Sequence, residues 1–174
     1  YDPQRHRASA FLYGDDAGVV CHSMGAWTLW FLGYPDQGLA WSHEALTLVQ
    51  RVAHPFSLAF ALVLAAMFHA FRCEKPCTQE RAEAAISLSK EQGFPIWMAV
   101  GALLHGWALT QQGQGQEGIA QMTQALSAYR ATGAENLRPY WLAFLGDAYR
   151  TMGQPEAGLA VLTEALTVVD KTGA

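Results

Sequence analysis

GQGQEG, residues 113–118, sets Gly113, Gly115 and Gly118 on the G-x-G-x-x-G spacing that cradles a dinucleotide pyrophosphate. That chemistry needs a strand before the glycines, a helix opening on them, and a ribose-binding acid about 20 residues further on. The surrounding chain offers a different frame. At forty-residue offsets the same six positions read GYPDQG (33–38), CEKPCT (73–78) and GQPEAG (153–158). The outer small residues mostly persist, while the middle glycine becomes Pro35, Lys75 and Pro155. The stretch therefore reads as a turn between two helices, with Gly115 merely standing where its counterparts use proline.

The period runs through the whole chain, and a repeat of this length decides the architecture before any single motif does. Ala45-Leu46 recurs as Ala85-Ile86, Ala125-Leu126 and Ala165-Leu166. Small residues recur at Ala26, Ala66, Gly106 and Gly146, and again at Gly38, Thr78, Gly118 and Gly158, which implies close helix contacts. In the last unit Leu142, Leu145 and Tyr149 follow helical steps, Gly153-Gln154-Pro155 turns the chain, and Leu159, Leu162, Leu166 and Val169 continue on a second helix. Pro35 and Pro155 suit a first helical turn, where their missing N–H costs nothing, and Pro139 suits the same place in the last unit. Ala53-His54-Pro55, Gly93-Phe94-Pro95 and Gly133-Ala134-Glu135 mark the turns between units.

The expected fold is all-α: four helical hairpins stacked as a short right-handed superhelix. Residues 1–17 form a lead-in, and the units run over about 18–54, 55–94, 95–134 and 135–174 of a repeat domain spanning 18–174.

Composition narrows the function classes. Of 174 residues, 51% are apolar and 15% charged, which suits a folded chain; the net charge of −4 and the scattered Lys and Arg offer no field for a phosphate backbone, so nucleic acid is excluded as a partner. Three cysteines are too few and too odd for a disulfide framework and suit a reducing, cytoplasmic setting. The polar start, YDPQRHR, without an initiating Met, reads as a piece of a longer chain. PFSLAFALVLAAMFHAF, residues 55–71, is apolar but short of the roughly 20 residues that span a bilayer, so it reads as a buried helix.

The pattern W-x2-L-G-x2-Y, then Gly, then small-x3-large-x2-Ala-Leu resembles the tetratricopeptide repeat. The last unit carries it as Leu142, Leu145-Gly146, Tyr149, Gly153, Gly158, Leu162 and Ala165-Leu166, and the third as Gly106, Leu109, Gly113, Gly118, Met122 and Ala125-Leu126. The first two units are more degenerate, with His22, Gly25 and Ser42, then Ala65, His69 and Ala82, at the large positions. The family's usual period is about 34, so its inter-repeat angles do not carry over. In wording, residues 1–46 and 132–166 also resemble the C-terminal repeat region of large bacterial signalling proteins in which a nucleotide cyclase domain and a predicted ATPase domain precede the repeats. That resemblance implies that any ATP chemistry belongs to other domains, and that this chain is not itself an enzyme and needs no cofactor.

In tetratricopeptide arrays the first helices line the concave face. Here they would present Trp27, Trp30, Phe31, Phe60, Met67, Phe71, Leu103 and Trp107, with Tyr140, Asp147 and Arg150 making one end polar. Such a groove suits a helix or extended peptide, from another protein or from domains of the same polypeptide, in signal transduction. The segment RASAFLYG or another copy of the chain would also cover it, and self-association through the ends of the array is a further mode. A second reading is a small-molecule pocket lined by Trp27, Trp30, Met67 and Trp107. A third, enzymatic reading rests on CHSMG (21–25), which is like a G-x-S-x-G nucleophile elbow with Ser23 as the nucleophile. It lacks the strand and the βα alternation an elbow requires. His69, Cys73 and Cys77 share helical spacing, but Cys73 takes the turn position and Pro76 interrupts the segment, so no metal site is expected. His22, His69 and His105 read as core histidines.

Overall fold

Pro35, Lys75, Gly115 and Pro155 each open a helix, so the forty-residue beat is the beat of the second helix of every hairpin. These helices are α2 (Pro35–Val52), α4 (Lys75–Gln92), α6 (Gly115–Ala131) and α8 (Pro155–Thr172). Their first-helix partners are α1 (Ala17–Phe31), α3 (Pro55–Phe71), α5 (Pro95–Gln111) and α7 (Arg138–Thr151). The computed structural model describes residues 14–135 and 137–172; the segment RASAFLYG falls outside them except for Gly14. The described residues form eight α-helices and no strand.

Each hairpin turns in the same way. The turn residues Gly33, Cys73, Gly113 and Gly153 all take left-handed φ, at 84°, 58°, 91° and 67°. The next N–H bonds back to the carbonyl five residues earlier: Tyr34 to Leu29 at 2.8 Å, Glu74 to His69 at 2.9 Å, Gln114 to Leu109 at 3.0 Å and Gln154 to Tyr149 at 2.9 Å. This is the six-to-one bond of a Schellman cap, which satisfies helix-end carbonyls and favours glycine because a left-handed residue has no Cβ penalty only there. GQGQEG therefore closes a helix and opens another, with no strand before it.

Successive first helices α1, α3, α5 and α7 touch one another and form the inner layer, each backed by its own second helix. The apolar run of α3 is buried almost throughout, from Ala61 to Ala70, by neighbours on both sides. Second helices bury only a stripe, on which Ala45, Ala85, Ala125 and Ala165 are all buried. Small residues let the pairs close up: a Cβ at Gly118 would collide with the Gly106 carbonyl oxygen and come within 2.9 Å of the Thr110 nitrogen. Gly115 is more than a proline substitute, since it is buried and any Cβ there would meet the Met152 side chain of the next hairpin. Asp16 caps α1 by accepting from Val19 N–H at 3.0 Å, and its own N–H donates to Ser57 Oγ on α3 at 2.9 Å.

Among the described residues, the face of α8 equivalent to the one α7 covers on α6 is exposed. Ile119 and Met122, at 9% and 0% exposure, lie on α6 beneath α7, whereas their counterparts on α8, Leu159 and Leu162, are 65% and 39% exposed. No helix among the described residues is long and apolar enough to cross a membrane.

Candidate functional site

Residues 27, 67, 107 and 147 occupy one register position in the four hairpins and form a row along the inner layer: Trp27, Met67, Trp107 and Asp147. Met67 and Leu103 are buried in the core. Trp27 is half-buried, its indole N–H directed at the Leu64 carbonyl at 3.4 Å. The Trp107 indole N–H donates to Asp147 Oδ2 at 3.0 Å; Gln111 Nε2 donates to the same oxygen at 3.0 Å, and Arg150 Nη2 donates to Oδ1 at 2.7 Å. The polar end of the face is thus a tied network, with the exposed Arg150 at its edge.

The aromatic residues do not stand in an open line. Trp30 stacks on Phe71, with centroids 5.9 Å apart and an 11° interplanar angle, and Phe31 meets the same ring edge-on at 5.5 Å. Tyr140 of α7 reaches back to Trp27 at 6.2 Å and Phe71 at 6.1 Å, so rings from the first and last hairpins meet. Phe60 sits farther along, 5.5 Å from Trp97. At the outer rim Phe31, Leu32 and Tyr34 are 69%, 64% and 51% exposed, an apolar edge continuous with these packed rings.

Behind Trp27 lies a cavity of about 280 Å3, bounded by α1, α3, α5, α6 and α7. Trp27, Phe60 and Met67 line it, joined by Met24, Trp97 and Trp141, which sequence reasoning passed over. Trp97 and Trp141 are bulky residues near the starts of first helices; which turn of a first helix faces inward depends on how the hairpins stack, and no spacing in the sequence reports it. The indole nitrogens of Trp97 and Trp141 and the Tyr140 hydroxyl are buried without a hydrogen-bond partner. Burial pushes the Tyr140 phenol above its ordinary pKa, so it remains a proton donor.

Around the second turn, Cys73 is exposed in its left-handed conformation and Glu74 takes the place it vacates beside His69 and Cys77, whose ligand atoms lie within 4.8 Å of one another. Glu74 already has protein partners: His69 Nδ1 lies 2.6 Å from Oε2, and Arg72 Nε donates to Oε1 at 2.7 Å. Partial burial alone would raise the Glu74 pKa, but the hydrogen bonds and charges of His69 and Arg72 hold it below the ordinary value. His22 and His105 likewise face carboxylates, Glu44 at 3.4 Å and Glu83 at 3.2 Å, rather than lying in apolar packing as their spacing predicts. Ser23 is buried in mid-α1 with its Oγ unpartnered, so the nucleophile elbow is not formed.

No protein-family model matches the chain, and no curated protein matches it. Solved structures do. The apo form of RapI superimposes with a TM-score of 0.68 at 11% identity over 90% of this chain, which spans 57% of RapI's length. A point-substituted form of a Podosopora anserina putative kinesin light chain with nearly identical TPR-like repeats gives a TM-score of 0.58 at 14% identity, covering 98% of this chain and 85% of that one. A second structure of that kinesin light chain gives 0.54, also at 14% identity and with the same coverage. At these identities the likeness speaks for the fold alone, and together with the repeated Schellman turns it makes the chain a TPR-like helical array.

Proposed function

We propose that the chain is a non-catalytic interaction and regulatory module that receives an apolar partner segment, or a domain of its own polypeptide, along the concave face between the Phe31–Tyr34 rim and the Asp147–Arg150 end. The observation that carries this reading is the exposed rim of Phe31, Leu32 and Tyr34, continuous with packed rings. Contiguous apolar surface of this kind is unfavourable in water unless covered. The wording shared with bacterial cyclase and ATPase signalling proteins supports a role in coupling partner binding to catalytic domains elsewhere, in the cytoplasm. A mechanism is at hand, because solenoid hairpins contact only their neighbours and curvature changes at little cost. Here the ring contacts of Tyr140 with Trp27 and Phe71 span the array, so an occupant that displaces Tyr140 would alter its curvature.

The test is affinity capture with mass analysis, comparing wild type with Phe31→Ser/Tyr34→Ser and with Trp27→Ala/Trp107→Ala. Thermal unfolding of each protein is followed in parallel, since loss of a buried Trp costs about 3–5 kcal/mol. A specific partner should be lost from the rim variant, which keeps its stability. A captured set identical in wild type and both variants would remove the concave face from consideration.

A further inference from the structure

The second hairpin turn departs from the repeat in its chemistry. His69 stands where the other hairpins carry Leu29, Leu109 and Tyr149, and Cys77 where they carry Gln37, Glu117 and Ala157. His69 is 6% exposed, and its Nδ1 lies 2.6 Å from Glu74 Oε2. The backbone ties this pair together, because the Glu74 N–H donates to the His69 carbonyl at 2.9 Å. Glu74 is the N-cap residue of α4, yet its carboxylate makes no capping bond to that helix and turns to His69 instead. Cys77, a free thiol in the first turn of α4, completes a trio whose ligand atoms all lie within 4.8 Å of one another.

We infer that His69, Glu74 and Cys77 form a site for one divalent cation of the zinc type, held by an imidazole nitrogen, a carboxylate oxygen and a thiolate. The donor set chooses the metal: one nitrogen, one oxygen and one sulfur suit a borderline-soft ion and not magnesium or calcium, which take oxygen. Arg72 Nε holds Glu74 Oε1 at 2.7 Å, which orients the carboxylate and leaves Oε2 to the metal, as a hydrogen bond to the far side of a ligand does in metal sites. Metal–ligand bonds of about 2.0–2.3 Å around a tetrahedral ion separate the ligand atoms by about 3.3–3.7 Å. The His69–Glu74 contact therefore opens from 2.6 Å, and the wider separations close from at most 4.8 Å, movements of about 1 Å within reach of side-chain rotation. On binding, the metal takes the place of the proton between His69 and Glu74 and of the thiol proton, and both protons leave to solvent. The carboxylate and the thiolate then balance the charge of the ion. Glu74 and Cys77 are only half-buried, so the site is open on one side, and three protein ligands leave a fourth position for water or for a group of an arriving partner. Such a site would be present whatever the concave face binds.

Titration of the reduced, metal-free full chain with Co2+, followed by absorption, tests this. One equivalent is expected to raise a thiolate-to-cobalt charge-transfer band in the near ultraviolet, and one equivalent of Zn2+ should bleach it. Cys77→Ser should remove the band, whereas Cys73→Ser should keep it, which assigns the sulfur to one of two neighbouring thiols. His69→Leu installs the residue that the first and third hairpins already carry, so it keeps the fold, and it should weaken cobalt binding by about tenfold or more, as should Glu74→Gln. Circular dichroism establishes that each variant is folded. A folded wild type without the band, a band that survives Cys77→Ser, or an affinity unchanged in either His69→Leu or Glu74→Gln would overturn the inference.

Discussion

The Trp107 indole N–H donates to the Asp147 carboxylate at 3.0 Å, and the two residues occupy equivalent positions of successive hairpins. A row that is aromatic or apolar at Trp27, Met67 and Trp107 ends in an acid, and the acid serves its neighbour in the row. Asp147→Ala would leave the buried Trp107 nitrogen without an acceptor and cost about 1–3 kcal/mol. Trp107→Phe/Asp147→Ala should then destabilise by less than the sum of the single changes in urea titrations. Strict additivity would mean that the bond contributes nothing.

Cys73 is the only non-glycine among the four hairpin-turn residues, at φ 58°. Left-handed backbone costs a residue with a Cβ about 1–2 kcal/mol, partly offset by the greater freedom glycine gives the unfolded chain, so Cys73→Gly should stabilise by about 0.5–1 kcal/mol. Thermal and urea unfolding measure it, and an unchanged or lowered stability would refute the strain argument.

Helix closeness inside the hairpins varies measurably. A Cβ at Gly118 would strike the Gly106 carbonyl oxygen, whereas at Gly158 its nearest neighbour, the Gly146 oxygen, stands 3.2 Å away. Gly118→Ala should cost about 1–3 kcal/mol as an overpacked contact, and Gly158→Ala less. Parallel urea titrations of the two variants should rank them in that order.

Glu74 titrates below its ordinary range in the folded protein because His69 and Arg72 hold its charged form against the effect of burial. A depressed carboxylate contributes stability that is present above the unfolded pKa, near 4.3, and lost as pH falls through the folded value. The advantage of wild type over Glu74→Gln should therefore be constant near neutrality and shrink as pH drops below about 4.3. Urea midpoints between pH 7 and pH 3 follow it; a gap that widens on acidification would contradict the sign.

Leu159 and Leu166 on α8 are 65% and 66% exposed. Leu159→Gln/Leu166→Gln should leave stability within about 0.5 kcal/mol, as surface changes do, while lowering any concentration-dependent self-association. Sedimentation velocity across a concentration series decides whether this face associates.

The fold class, the count of hairpins and the places of the turns were legible along the chain. Those properties are local: a small residue after the first helix, proline at a helix start and apolar residues at helical steps act within a few positions, and the forty-residue period repeats them legibly. The sequence also named Trp27, Phe71 and Tyr140 among the groove residues, through the resemblance to tetratricopeptide arrays, in which first helices line that face. Only the tertiary structure brought Tyr140 against Trp27 across the array, placed Trp97 and Trp141 around the cavity, put Glu74 rather than Cys73 beside His69, and tucked Gly115 beneath Met152. These relationships depend on the angle between successive hairpins and on linkers of unequal length. A small rotation per repeat accumulates over four units into a choice of which side chains meet, and no spacing along the chain records that sum.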